Sequence, residues 1–292
     1  MPLLRVLARD PAALGNPSAV QVKGLRFFTV KAPLGSPWFR SAKHPAQESA
    51  RGRVELALLY RLGCPRVVPL PERFQACFRQ GTTCFSIWSS MMDLAKAEPF
   101  LATISGGGPT RGDTCLQGQG RGSFLGAFLA SLGAFLGAAA GALLGPPFRA
   151  HTVPAAGLAL LEGFTGLFPQ IAAGFRRQGQ LLREEMIAEL GEDGVIVWPG
   201  LPHLAPRHGG GLLRFLDTAS TSLLNVLEFP ALALPLGRSQ GRNQGRNQGP
   251  FAAKGLPVGC QLVAAPGKEH LLVAVAEALE EEGVAFAPHP NY

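Results

Sequence analysis

The sequence predicts an α/β chain, and three observations carry that expectation. A strand–helix–strand alternation fills the first seventy residues, the same alternation resumes after Pro169, and glycines stand just beyond the helical runs. Leu25 to Val30 is an apolar and β-branched run opened by Gly24, with Arg26 its only charge, and reads as a strand. Gln47 to Leu62 spaces Val54, Leu58 and Leu62 four residues apart and runs into Gly63, the signature of an amphipathic helix and its stop. Pro65 to Leu70 returns to the strand pattern through Val67 and Val68. Together these make one β-α-β unit, which calls for a parallel pair of strands.

Farther along, Phe74 to Met92 is apolar without two-residue alternation and reads as mostly helical. Ser105 to Asp113, with Gly106, Gly107 and Gly108 followed by Pro109 and Gly112, has the composition of a loop; no Gly-Lys-Ser/Thr follows, so it is not a phosphate-binding loop. Gly122 to Phe148 contains no charged residue and is bounded by Arg121 and Arg149. After Pro169, a helical stripe of Ile171, Phe175, Leu182, Met186 and Leu190 closes on Gly191. Val195 to Trp198 is a buried strand, Leu213 to Leu227 a helix, and Ala231 to Leu234 a short strand stopped by Pro235. Residues 238–251 repeat Gly-Arg-Asn-Gln and are too hydrophilic to join a core, so a disordered polar insert is expected. Gly259 to Ala265 is the last strand and Lys268 to Glu282 the last helix, with Leu272, Val275 and Leu279 inward and Gly283 as its stop.

With 292 residues, 47% apolar and 16% charged, the chain is globular and long enough for a sizeable core. The net charge of +7 favours anionic partners, yet Lys and Arg are scattered from Arg5 to Lys268. The sequence shows no basic patch interleaved with aromatics, no helix-turn-helix pattern and no paired-cysteine zinc spacing, which argues against a nucleic-acid partner. Five cysteines, Cys64, Cys77, Cys84, Cys115 and Cys260, form an odd set without close pairs and predict reduced thiols in an intracellular setting. Arg5, Arg9 and Asp10 interrupt the opening residues, leaving too short an apolar run for a secretory signal.

No constellation of catalytic residues stands out, and none is assigned. His203 and His208 lie five apart, but no third ligand is close in sequence, so no metal site is assigned either. Ser220, His208 and Asp217 have the residue types of a hydrolytic triad but no nucleophile-elbow motif. Cys260 falls in the predicted last strand, where a buried thiol is inert. No cofactor-binding motif is found.

Three stretches of the second half, in order, carry a family resemblance: Val195-Ile196-Val197-Trp198-Pro199 with Pro202 and Ala205-Pro206; Asn225 through Phe229-Pro230-Ala231 to Pro235-Leu236-Gly237; and Gly255-Leu256-Pro257-Val258-Gly259-Cys260-Gln261-Leu262-Val263-Ala264 followed by Glu269-His270-Leu271-Leu272. Jointly they resemble the amidase-signature family. The first half resembles its fatty-acid amide hydrolase branch, through Leu4-Arg5-Val6-Leu7-Ala8, Gly24-Leu25-Arg26-Phe27-Phe28 and Ile87-Trp88-Ser89-Ser90-Met91-Met92. Val153-Pro154 and Gly157-Leu158-Ala159-Leu160-Leu161-Glu162 fit the same branch. The resemblance covers nearly the whole chain but only the family's later portion. Its departures are the Gly-Ala-Leu-Phe expansion at 123–145 and the Arg-Asn-Gln insert.

The resemblance implies a partial amidase-signature fold, a mixed sheet flanked by helices with an apolar helical insertion. It also implies hydrolysis of long-chain fatty-acid amides by a Ser-Ser-Lys triad in complete relatives. That triad belongs to an earlier Gly/Ser-rich core; Ser105-Gly106-Gly107-Gly108 lacks the paired serines, and no lysine from Lys23 to Lys268 matches the catalytic position. The chain is therefore expected to be inactive alone. Met91, Met92, Phe100 and Leu101 are candidates for lining an acyl-chain channel, where long apolar tails need flexible apolar walls; ordinary core packing accounts for the same residue types. As a helix, residues 123–145 would extend roughly 35 Å, enough to cross a hydrocarbon core of about 30 Å. Their many glycines and alanines leave only a moderate drive to insert, so docking on a lipid membrane is expected over 122–148. A glycine-broken core hairpin would use the same residues. The alternative reading of the whole chain is a non-catalytic, membrane-associated protein that binds lipid or a partner, and a family fold missing its first half is expected to expose apolar surface and self-associate.

Overall fold

In a computed structural model, the described residues are 15–30, 45–79, 81–92, 169–201, 203–205, 217–239 and 255–285. They fall into two compact units: one drawn from residues up to Cys84, Leu182–His208 and the chain after Leu216, the other from Phe85–Leu181 with Gly209–Phe215. The expected membrane-docking stretch 122–148 lies outside the described residues, as does 240–251 of the polar insert.

The first unit is built on five strands: β1 (Arg26–Thr29), β2 (Val67–Pro69), β3 (Gly194–Trp198), β4 (Ala231–Arg238) and β5 (Pro257–Ala264). Their order is β2-β1-β3-β5-β4. β1 is parallel to both β2 and β3, with Phe27 beside Val67 and Val195. β5 runs antiparallel to β3 and to β4, so the sheet is mixed. The helices are α1 (Pro45–Tyr60), α2 (Glu72–Arg79), α3 (Gly81–Met92), α4 (Pro169–Leu190), α5 (Ala219–Val226) and α6 (Glu269–Glu281). The first β-α-β unit is thus parallel, as its spacing requires.

Alternation along the strands sorts the side chains onto two faces. Phe27, Val195, Val197, Leu262 and Ala264 join one cluster with Val54 and Leu58 of α1 and Leu272, Val275 and Leu279 of α6. Phe28, Ile196, Trp198 and Val263 occupy the intervening positions, and there Phe78 of α2 meets Trp198 edge-on with ring centroids 4.7 Å apart. β3 is buried along its whole length. The helices stop where expected, with Gly63, Gly191 and Gly283 at φ of +66°, +56° and +66°, a conformation in which Cβ would be strained.

Two expectations are corrected. β4 runs through Pro235 to Arg238 rather than ending at Leu234; it is an edge strand, and its register slips between Pro235 and Arg238, so the missing N–H of proline is tolerated. The apolar stretch 74–92 is helical, as expected, and is covered by α2 and α3. Ile171 is exposed, the buried side chain at that end of α4 being Ala172. The first residues of the expected polar insert are held in place: Arg238 donates to the Gly255 carbonyl at 3.0 Å, and Ser239 N donates to the Leu256 carbonyl at 2.7 Å. The two ends of the segment joining β4 to β5 are thereby tied together.

Candidate functional site

Polar side chains gather at the carboxyl ends of β1 and β3, the edge where α/β sheets place their ligands. Thr29 ends β1 and is fully buried. Its hydroxyl accepts from Arg51 and donates to Glu55, while Arg51 also donates to Glu55 and, at 3.0 Å, to Glu48. Glu48 and Glu55, on the same face of α1, thus share the buried Arg51 guanidinium, because positions three and four apart stack along a helix. Gln47, one turn earlier on the same helix, accepts from Gly259 N of β5 at 3.1 Å and donates to the His203 carbonyl at 3.5 Å. Burial raises the nearby Cys260 thiol to about 12, with Arg51 pulling down and Glu55 pushing up.

Beyond β3 the chain turns through Pro199 and Gly200 to His203. Its Nε2 lies 3.4 Å from Asp217 Oδ2 and its Nδ1 2.8 Å from the Leu204 carbonyl oxygen. Both ring nitrogens therefore face acceptors. A serine relay needs one imidazole nitrogen on the nucleophile's hydroxyl. Ser220 is buried one turn past Asp217 and its hydroxyl has no hydrogen-bond partner, so His203 does not serve it. The arrangement clasps the loop after β3 to the start of α5. Of the three residues considered for a triad, Asp217 meets His203, Ser220 stands apart from both ring nitrogens, and His208 lies outside the described residues.

Among the described residues no group of three or more His, Cys, Asp or Glu could hold a metal ion. Cys64, Cys77, Cys84 and Cys260 are free thiols. A shallow groove of about 310 Å³ runs beside α1, lined by Leu56, Tyr60, Arg53, Arg61 and Val284. Both of its arginines are engaged, Arg53 with the Leu236 carbonyl at 2.6 Å and Arg61 with the Glu282 carbonyl at 2.7 Å.

The candidate channel residues divide. Met91 sits at the end of α3, half-buried, and a Cβ placed on Gly179 of α4 would overlap its Sδ and lie 2.7 Å from Ile87 Cγ2. Met91 therefore packs tightly against a helix that only glycine lets so close. Met92 is the last residue of α3, and Phe100 and Leu101 lie outside the described residues. No helix among the described residues is long and apolar enough to cross a membrane.

No family model matches the chain. Among curated proteins it is 37% identical over 131 residues to fatty-acid amide hydrolase 2 of Homo sapiens, covering 45% of this chain and 22% of that protein. Over 287 residues, 96% of the chain, it is 29% identical to fatty-acid amide hydrolase 2-B of Danio rerio. These matches support assignment of the chain to the amidase-signature family, with similarity to its fatty-acid amide hydrolases. It spans less than half the length of these relatives, 45% in the longer match. It is also similar to the solved 6-aminohexanoate cyclic dimer hydrolase, at 18% identity and a TM-score of 0.49, covering 92% of this chain and 48% of that one. The family resemblance was legible in three stretches taken jointly, which fall on β3 and the loop after it, on α5 and β4, and on β5 and α6. It missed the Arg51 cluster and the His203–Asp217 clasp, whose members are brought together only by folding; the Glu48, Arg51 and Glu55 spacing on one helical face was the available signal.

Proposed function

We propose that residues 1–292 form the later portion of an amidase-like hydrolase whose complete relatives act on amides of long-chain fatty acids, and that this portion is inactive alone. The observation that carries the reading is the long match, in which nearly all of this chain aligns with 45% of fatty-acid amide hydrolase 2-B. More than half of that relative has no counterpart here, and the Ser-Ser-Lys core implied by the resemblance has no matching residues in this sequence. The geometry is consistent with inactivity, since neither nitrogen of His203 is turned to a hydroxyl and Ser220 has no base. In this reading the first unit is scaffold, with Met91, Met92, Phe100 and Leu101 assigned to the wall of the acyl-chain channel and 123–145 to membrane docking. The one-sided pairing of β2 and β4 among the described strands supports self-association through a sheet edge.

Ammonia release from a long-chain primary fatty-acid amide by the purified chain tests the catalytic part. No release above a protein-free control is expected, and sustained release would overturn it. Deleting 123–145 and measuring partition into phospholipid vesicles tests docking, for which reduced partition is expected and unchanged partition is the contrary result.

A further inference from the structure

The junction of α2 and α3 brings two cysteines together. Cys77 lies in the last turn of α2 and Cys84 in the first turn of α3. The Cys84 thiol donates to the Cys77 carbonyl oxygen, with Sγ 3.3 Å from it, which places Cys84 directly against the Cys77 residue. Seven residues apart on an unbroken helix, these side chains would be separated by about two turns, roughly 10 Å along the axis. Here α3 instead brings Cys84 Sγ back to the Cys77 carbonyl.

The two thiols are unequal. Cys84 is fully buried, whereas Cys77 is half-buried and keeps access to solvent. The adjoining Cys84 holds the Cys77 thiol below the ordinary thiol range, outweighing the effect of burial. The adjoining Cys77, with burial, pushes Cys84 up. Cys77, the more accessible of the two, thus has the properties of an attacking thiolate, and Cys84, buried against the Cys77 backbone, those of a protected partner. The other described thiols have different settings: Cys64 is buried with Sγ 3.7 Å from the Val22 carbonyl oxygen, and Cys260 lies in the core.

We propose that Cys77 and Cys84 form an oxidation-sensitive dithiol, in which a peroxide oxidises Cys77 and Cys84 then closes an intramolecular disulfide. In the first step the Cys77 thiolate attacks one oxygen of hydrogen peroxide, the O–O bond breaks, and the released hydroxide takes a proton to leave as water. Cys77 is then a sulfenic acid. In the second, Cys84 sulfur attacks Cys77 sulfur, the S–O bond breaks, and the departing hydroxide takes the Cys84 proton as a second water. Two thiols have given two electrons to one peroxide, and a thiol reductant reverses the change by exchange.

The test uses the purified full chain treated with hydrogen peroxide, blocked with iodoacetamide without reductant and digested with trypsin. Peptide 74–79 joined to peptide 80–96, lighter than their sum by two hydrogens and released by dithiothreitol, is the expected product. Cys77→Ser should abolish the link and leave Cys84 as a thiol. Cys84→Ala should let Cys77 be trapped by dimedone as a sulfenic acid and then pass to the sulfinic acid faster than in the unaltered chain. Recovery of both cysteines as alkylated thiols after peroxide would overturn the proposal. So would a link from Cys77 to Cys115 or Cys260, or equal over-oxidation of Cys77 with and without Cys84.

Discussion

Strands β3 and β4 belong to one sheet and differ in almost every respect that matters for stability. β3 is paired on both sides, by β1 and β5, and all five of its residues are buried. Among the described strands β4 is paired on one side only, and from Ala231 to Leu236 exposed positions alternate with half-buried or buried ones. The apolar run of β3 is what a strand covered on both faces requires, whereas β4 carries Pro235 and Gly237, which only an edge accommodates. Stability in the first unit should therefore be concentrated in the centre of the sheet, and the edge should tolerate change.

Truncating one residue in each strand puts the greatest strain on that contrast. Trp198→Ala removes a fully buried ring and its edge-on contact with Phe78, and should cost about 3–5 kcal/mol in urea unfolding. Leu232→Ala, half-buried in β4, should cost about 1 kcal/mol. Similar losses at both sites would show that the edge strand contributes as much stability as the centre.

Two kinds of ion pair differ in the same way. Arg51→Ala leaves Glu55 and Thr29 without their shared donor in a largely buried setting, and about 3 kcal/mol should be lost. Arg26→Ala removes a pair with Asp193 whose side chains are 49% and 41% exposed, so a loss under about 1 kcal/mol is expected for that pair. A double-mutant cycle on each pair reads these values directly.

Between these in size stands the seam where β4 joins β5. A Cβ on Gly259 would lie 2.6 Å from the Leu234 carbonyl oxygen, and backbone cannot swing aside as a side chain can. Gly259→Ala should cost about 1–3 kcal/mol, and hydrogen exchange should show β4 amides losing protection before those of β3.

The centre of the sheet was legible in the sequence because its signals are local. Val195 to Trp198 lies between Gly194 and Pro199, and Leu272, Val275 and Leu279 repeat at helical spacing before Gly283; all are buried as that spacing requires. Pro235 was misleading because whether a strand lies at an edge is settled by its neighbours, not by its own residues. Asp217 pairs with His203 across fourteen positions, and Cys84 reaches the Cys77 carbonyl from a different helix, seven positions on. The candidate site was therefore much less legible than the fold. Ile171 shows the remaining limit: helical spacing names a face, but the neighbours decide how far along the helix that face is covered.

The smallest effect concerns His270 at the start of α6. Burial, then the charge of Lys268, lowers its pKa, against the opposing pull of Glu269 and Glu192. A histidine whose folded pKa lies below its unfolded value binds fewer protons when folded, so stability falls as pH drops through the unfolded pKa of about 6.5 and levels off below the folded one. His270→Gln should flatten that acid limb of stability between about pH 7 and pH 5. An unchanged slope would assign it to other groups.

Whether this chain carries the family's scaffold without its nucleophile can be read from labelling of the purified chain with a serine-directed fluorophosphonate. No stoichiometric label above that of heat-denatured chain is expected, because Ser220, the buried serine nearest in sequence to the His203–Asp217 pair, has no base on its hydroxyl. Saturable labelling of a single serine in the folded chain, abolished by heat, would contradict it.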